Sequence, residues 1–139
     1  GDEEENLKKL VRELDLNSQV MFFKDISDEL KNALIAKSNI FVMPSIVYKK
    51  SVEGFGIAYI EAAQHGIPSL GGKDGGASDA IEHDKTGLIC DGNDLEDIYS
   101  SLNSMIYDKK YLELGKNAKE LSSKFYWSNT IEKYKKILQ

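Results

Sequence analysis

The sequence predicts an α/β fold, a parallel sheet with helices packed on both of its faces. Three observations carry this. Short continuous apolar runs, Val20-Met21-Phe22-Phe23 and Ile40-Phe41-Val42-Met43, have the length and evenness of strands buried on both sides. Segments with apolar residues at helical spacing lie between and after them. Glycine and proline punctuate the junctions, as Pro44, Gly66 and Pro68 do. Strands alternating with helices in this way build parallel sheets.

Taken in order, residues 3–15 read as a helix, with Leu7, Leu10, Val11 and Leu14 on one face and acids before lysines along the dipole. Val20–Phe23 is the first strand. A second helix starts near Ser27, whose hydroxyl can cap it, with Leu30, Ala33 and Leu34 as the inner stripe. Ile40–Met43 is the next strand, stopped by Pro44. A loop then leads to a helix over 56–65, closed by Gly66 and Pro68. Ser69-Leu70-Gly71 and Leu88-Ile89-Cys90 are short third and fourth strands, with a short helix at 77–81 between them. Residues 94–107, 109–123 and 129–138 are consecutive helices joined around Phe125-Tyr126-Trp127.

Composition narrows the function classes. A chain of 139 residues holds one domain with a real core, and 41% hydrophobic with 29% charged residues is ordinary for a globular domain. No apolar run approaches the roughly 18 residues of a membrane span, and the acidic start GDEEENLKKL is not a signal peptide. A single cysteine, Cys90, forms no internal disulfide and fits a cytoplasmic location. The net charge of −5, with lysines interspersed among acids, argues against a nucleic-acid partner.

The chemistry concentrates in SVEGFGIAYIEAAQHGIP, residues 51–68. Gly54 and Gly56 lie on a loop after a strand of a parallel sheet, where such folds gather their ligands. Glycines there let backbone come close to a ligand, and the free amides of the following helix, with its dipole, make an anion site suited to phosphate. Glu61 stands little more than a turn into that helix, and helical side chains lean back toward the N-terminus. Glu53 approaches from the loop side. A carboxylate beside a phosphate site is repulsive unless the ligand also carries hydroxyls, which an ionised carboxylate accepts in pairs. Carboxylates on both sides of one phosphate cradle therefore suggest a ligand with sugars on both sides of its phosphates. The glycine pair alone reads more readily as turn chemistry; the two glutamates tip the balance.

Other motifs fail. Gly54-Phe55-Gly56 opens like a dinucleotide fingerprint, but Tyr59 takes the third glycine's place and a ten-residue loop separates it from its strand. Gly71 to Ser78 has P-loop spacing with Ala77 where the lysine belongs. Gly75-Gly76 fits a second close-approach loop and a simple turn equally well. His65 and His83 have no third ligand at metal spacing, so no metal is expected. Cys90 reads as buried and inert. The stripe of Trp127, Ile131, Tyr134 and Ile137 reads as a helix packing on core or on another domain.

VMPS at 42–45, EGFGIAYIEAAQHGIPSLGG at 53–72 and GGASDAIEHDKTGLIC at 75–90 closely resemble the C-terminal domain of retaining GT-B glycosyltransferases of the glycogen-synthase-like, family 4 type. Two glutamates separated by seven residues are the signature of that family, matched by Glu53 and Glu61. The resemblance extends to the tail FYWSNTIEKYKKIL, and so covers essentially the whole chain. It implies a Rossmann-like, donor-binding C-terminal half of a GT-B fold over 1–139. Glu53 would be the catalytic-site carboxylate on the hydroxyls of the transferred sugar. Gly54, Phe55, Gly56 and Ile57 would hold that sugar and the diphosphate, and Glu61 the ribose. Relatives using guanine order an apolar residue, an acid and a lysine toward the base, an order that Ile26, Asp28 and Lys31 repeat; a solvated first helical turn explains the same residues equally well. The family often has a glycine where Lys24 follows Phe22-Phe23.

The expected parent transfers a sugar from a nucleotide diphosphate sugar to an acceptor hydroxyl with retention, using no metal or other cofactor. The resemblance also implies that the first strand-helix-strand unit is missing, with Gly1-Asp2 as the end of its second strand. The N-terminal acceptor domain would be a further partner, through which peripheral membrane contact would come, and the 139-residue chain alone would be inactive. An epimerase of the same architecture and a non-catalytic sugar-nucleotide-binding module stay open beside this reading.

Overall fold

Three short parallel strands organise the chain, of which the computed structural model describes residues 2–138. They are β1 (Phe41–Met43), β2 (Ser69–Gly72) and β3 (Gly87–Cys90), hydrogen-bonded in that order. Phe41 stands opposite Ser69, which in turn stands opposite Gly87, so the three strands begin level. Each connection crosses over through helix, α3 (Ile57–Gln64) from β1 to β2 and the short α4 (Ala77–Ala80) from β2 to β3. Helices α5 (Leu95–Tyr107), α6 (Lys110–Ser122) and α7 (Trp127–Ile137) follow, with a 3-10 turn at Ser123–Phe125 before the last.

Alternation along the strands divides the core in two. Leu70, Leu88 and Cys90 point to one side, where Met105 and Leu114 of α5 and α6 cover them. Tyr59, Ile60, Ala77, Ala80 and Ile81 pack on the other with Phe41, Met43 and Ile89. The period of two that puts successive side chains on opposite faces is what clothes this sheet in helices on both sides. Val42 departs from the expectation of a strand buried on both faces, being 45% exposed on β1, an edge strand of the sheet among the described residues.

Helix ends follow local chemistry. The Asp94 carboxylate caps α5 by accepting from the amides of Glu96 and Asp97 at 3.0 and 3.3 Å. α3 stops at Gly66, whose φ of +76° belongs to glycine, and Pro68 is fully buried beyond it.

The chain forms two compact units, one ending at Lys31 and one starting at Asn32, and the sheet belongs to the second. In the first, α1 (Glu4–Glu13) is laced by a 2.7 Å pair between Lys8 Nζ and Glu4 Oε1, and its apolar residues Leu7, Leu10 and Leu14 are exposed instead of forming an inner face. The strand expected at Val20–Phe23 does not form, and Met21, Phe22 and Phe23 are exposed. An apolar run supplies the side chains of a strand, but only a ladder partner makes it one. Asp2 lies in a turn, not at a strand end, and Gly1 falls outside the described residues. The helix expected near Ser27 is α2 (Asp28–Lys37), and the Ser27 hydroxyl accepts from the Leu30 amide at 3.2 Å. Its expected inner stripe is not buried: Leu30 and Ala33 are exposed and Leu34 half-buried. Among the described residues no helix is long and apolar enough to cross a membrane.

Cys90 is 2% exposed on β3, as the sequence predicts. Burial pushes its thiol up, and the charges of Asp97 and Asp91 add to the rise. The thiolate is the reactive form, so a raised pKa leaves little of it at neutral pH. Iodoacetamide should therefore label native protein far more slowly than denatured protein at pH 7.5, followed by mass spectrometry. Equal rates would show the thiol to be accessible and unshifted.

Candidate functional site

All the residues from Glu53 to Ile57 lie on the connection that leaves the carboxyl end of β1 and enters α3. The long loop before them is not featureless. Tyr48 and Ser51 exchange backbone hydrogen bonds of 3.1 and 2.9 Å, closing a tight hairpin with Lys49 at a φ of +55°. Asp74 accepts from the Val47 amide at 3.4 Å, which ties this hairpin to the loop after β2.

Gly56 opens α3 in the left-handed conformation, φ +77° and ψ +55°, and no side chain caps the helix. A Cβ at Gly56 would stand 2.3 Å from the Tyr59 ring, so both the backbone angle and the packing demand glycine. The Tyr59 amide bonds back to the Gly56 carbonyl at 2.9 Å, and the amides of Ile57 and Ala58 precede any intrahelical acceptor. α3 therefore starts as an uncapped, positively polarised end at the carboxyl edge of a parallel sheet.

Gly54 answers to a different constraint. A Cβ there would meet nothing within 4 Å, so its own packing does not require it. The loop after β2 requires the backbone around it. The Gly76 amide donates to the Glu53 carbonyl at 3.0 Å, and a Cβ on Gly76 would lie 1.6 Å from the Gly54 carbonyl oxygen. Gly75 likewise stands against the Glu53 carbonyl, at a φ of +82°. Gly75-Gly76 thus is a close-approach loop, and what it approaches is the Glu53–Phe55 backbone. Phe55 turns its ring onto Phe125, centroids 5.5 Å apart at 61°.

The two carboxylates are both half-buried, Glu53 at the loop and Glu61 on α3 one turn beyond Ile57 and on the same helical face. Ile57 itself is exposed. Nearby at the ends of β2 and β3, Lys73 and Asp91 pair at 2.6 Å, the lysine hydrogen bond holding the Asp91 carboxyl below its usual range. Asp91 also receives its Asn93 amide, and its own amide donates to Asp97 at 2.7 Å. The His83 Nδ1 accepts from the Ile89 amide at 2.9 Å, bracing the turn into β3.

Ile26, Asp28 and Lys31 belong to the first unit. Ile26 is half-buried, and Lys31 pairs with Asp28 at 3.4 Å across the first turn of α2. Tyr59 carries no distinct signal in the sequence, where a tyrosine at helical spacing reads as one more core residue.

A family model described as glycosyl transferases group 1 matches residues 1–121. The chain belongs to that family. It is 27% identical over 139 residues to the GDP-mannose-dependent alpha-(1-6)-phosphatidylinositol monomannoside mannosyltransferase of Mycobacterium tuberculosis, covering 97% of this chain and 36% of that protein. Among solved structures, sucrose-phosphate synthase from Thermosynechococcus elongatus superposes with a TM-score of 0.80 at 26% identity, covering 99% of this chain and 35% of that one. Anabaena HepE in complex with UDP-glucose does so with a TM-score of 0.75 at 25% identity, over 88% of this chain and 32% of HepE. The group 1 chain thus has the Rossmann-like α/β fold of GT-B glycosyltransferases and spans about a third of the length of these relatives.

The clasp of Gly76 on Gly54 leaves no room for a methyl group. Gly76→Ala should force the two loops apart and lower stability by about 1–3 kcal/mol, as overpacking does; urea unfolding measures it. A variant as stable as the parent would show that the loops separate freely.

Proposed function

We propose that this chain supplies the donor-binding part of a retaining glycosyltransferase, which moves a sugar from a nucleoside diphosphate sugar to an acceptor hydroxyl. One observation carries the reading: α3 begins without a cap between two half-buried carboxylates, in a chain of the group 1 family. The diphosphate would supply the missing cap, with the backbone of Gly54, Phe55, Gly56 and Ile57 around it. Glu53 would accept from hydroxyls of the transferred sugar and Glu61 from the ribose. The chemistry asked of such a site is positioning and stabilisation of the departing diphosphate, to which the polarised amides of α3 contribute. The relative solved with UDP-glucose and the relative dependent on GDP-mannose both support a nucleoside diphosphate sugar as ligand.

The two glutamates give the test its contrast. Glu61→Gln should weaken free nucleoside diphosphate and nucleotide sugar alike, by about 1–3 kcal/mol for a charged hydrogen bond. Glu53→Gln should leave free nucleoside diphosphate binding intact while lowering turnover and discrimination among sugars. Calorimetry with UDP and GDP, beside sugar-transfer rates, separates them. Unchanged nucleotide affinity in Glu61→Gln, or lost nucleotide affinity in Glu53→Gln, contradicts the assignment. The anomeric configuration of the product, read by NMR, tests retention.

For the base, we propose guanine, accepted at N1 and N2 by Asp28 and donated to at O6 by Lys31, with Ile26 against the ring. The pair these two side chains make with each other must open for this to happen. GDP should then bind more tightly than UDP, and Asp28→Ala should erase the difference. Tighter UDP binding that the substitution leaves alone would sink the guanine reading.

A further inference from the structure

Tyr59 fills a wedge that the rest of the site leaves open. It is the third residue of α3 and only 1% exposed. Its ring carbons Cδ2 and Cε2 lie 2.3 and 2.6 Å from where a Cβ on Gly56 would stand, and Cζ lies 3.4 Å from the corresponding point on Gly71. The ring thus occupies the space between the residue that opens α3 and the strand β2. Phe41 of β1 meets it edge-on, centroids 6.0 Å apart at 81°.

The hydroxyl does something the ring does not. It donates to the carbonyl of Met43, the last residue of β1, at 2.6 Å. That carbonyl already accepts from the Ser45 amide at 2.8 Å. The same oxygen also meets the Ser45 side chain and the Gly72 backbone, so a phenylalanine would fill the apolar space but forgo hydrogen bonds at the ends of both β1 and β2. What the oxygen adds is a tie between the first turn of α3 and the carboxyl end of β1. The Glu53 loop spans those same two points.

We propose that Tyr59 is a positioning residue for the diphosphate cradle, its ring backing the left-handed turn at Gly56 and its hydroxyl holding the first turn of α3 against the end of β1. The amides of Ile57 and Ala58 and the carboxylate of Glu53 keep their places through it. This deepens the donor-binding reading above and rests on it. Binding constellations lose function when their parts drift by more than about 0.5 Å, and a hydrogen bond at the base of the turn limits that drift. Burial pushes the Tyr59 phenol up; hydrogen bonds with Ser45 and the Gly72 backbone oppose the rise and the Glu53 charge adds to it, and the net upward shift keeps the hydroxyl a donor throughout the neutral range.

The test is to titrate UDP and GDP into the full-length protein carrying Tyr59→Phe or Tyr59→Leu, reading Kd and stoichiometry separately. A merely structural role lowers the fraction of folded protein, and so the stoichiometry, while the folded fraction binds with the parent Kd. Positioning raises Kd at intact stoichiometry, by about 3- to 10-fold for Tyr59→Phe, the worth of one hydrogen bond. Tyr59→Leu should raise it further; if that variant does not fold, Tyr59→Phe alone decides. Parent-like Kd in Tyr59→Phe, with the parent protein binding normally, overturns the positioning role and leaves the donor-binding reading standing. Failure of the parent protein to bind either nucleotide overturns both.

Discussion

At the carboxyl edge of the sheet, backbone packs on backbone with room only for hydrogen atoms. A Cβ on Gly72 would fall 1.9 Å from the Ser45 carbonyl oxygen, one on Gly76 1.6 Å from that of Gly54, and one on Gly92 2.4 Å from that of Pro44. The end of β2 and the loops after β2 and β3 therefore press against the loop after β1 at three points. Side chains at any of them would hold the loops apart by several tenths of an ångström or more. The connection carrying Glu53 owes its course to this pressure from its neighbours.

That constraint explains how an exposed loop of more than ten residues keeps one course. Long connections are ordinarily mobile and imprecise. Here the Asp74 carboxylate holds one end at Val47, the Gly76 amide holds Glu53, and Phe55 rests on Phe125 from the turn before α7. The far end is fixed by Tyr59, whose hydroxyl returns to the end of β1. The tethers come from three places, the loop after β2, the turn before α7 and α3 itself, so the loop is held from several directions at once. The uncapped start of α3 lies at the end of this tethered run and keeps its amides available to an anion.

The linear pattern went far. Apolar runs interrupted by glycine and proline located all three strands of the sheet and the helices between and after them, because period and punctuation are properties of neighbouring residues. Gly66 and Pro68 marked the end of α3, and Ser27 the start of α2, for the same reason. The apolar run at 20–23 shows where such reasoning stops. Its side chains suit a strand as well as those of β1 do, but β1 has β2 beside it and residues 20–23 have no ladder. Pairing is a relation between distant segments and leaves no trace in either one alone.

The site divides along the same line. Spacing along the chain was enough to gather Glu53, the glycine pair and Glu61 about the start of one helix, since a loop after a strand of a parallel α/β fold leads into helix there. Only the tertiary structure decided which glycine serves which purpose: Gly56 for the left-handed turn beneath Tyr59, Gly76 for the clasp on Gly54, and Gly54 for neither. It also joined Tyr59 to the end of β1, through a hydrogen bond to a carbonyl sixteen positions earlier. Local spacing is written in the chain, whereas close approach between loops follows from which strands lie side by side, and that is settled only when the sheet forms.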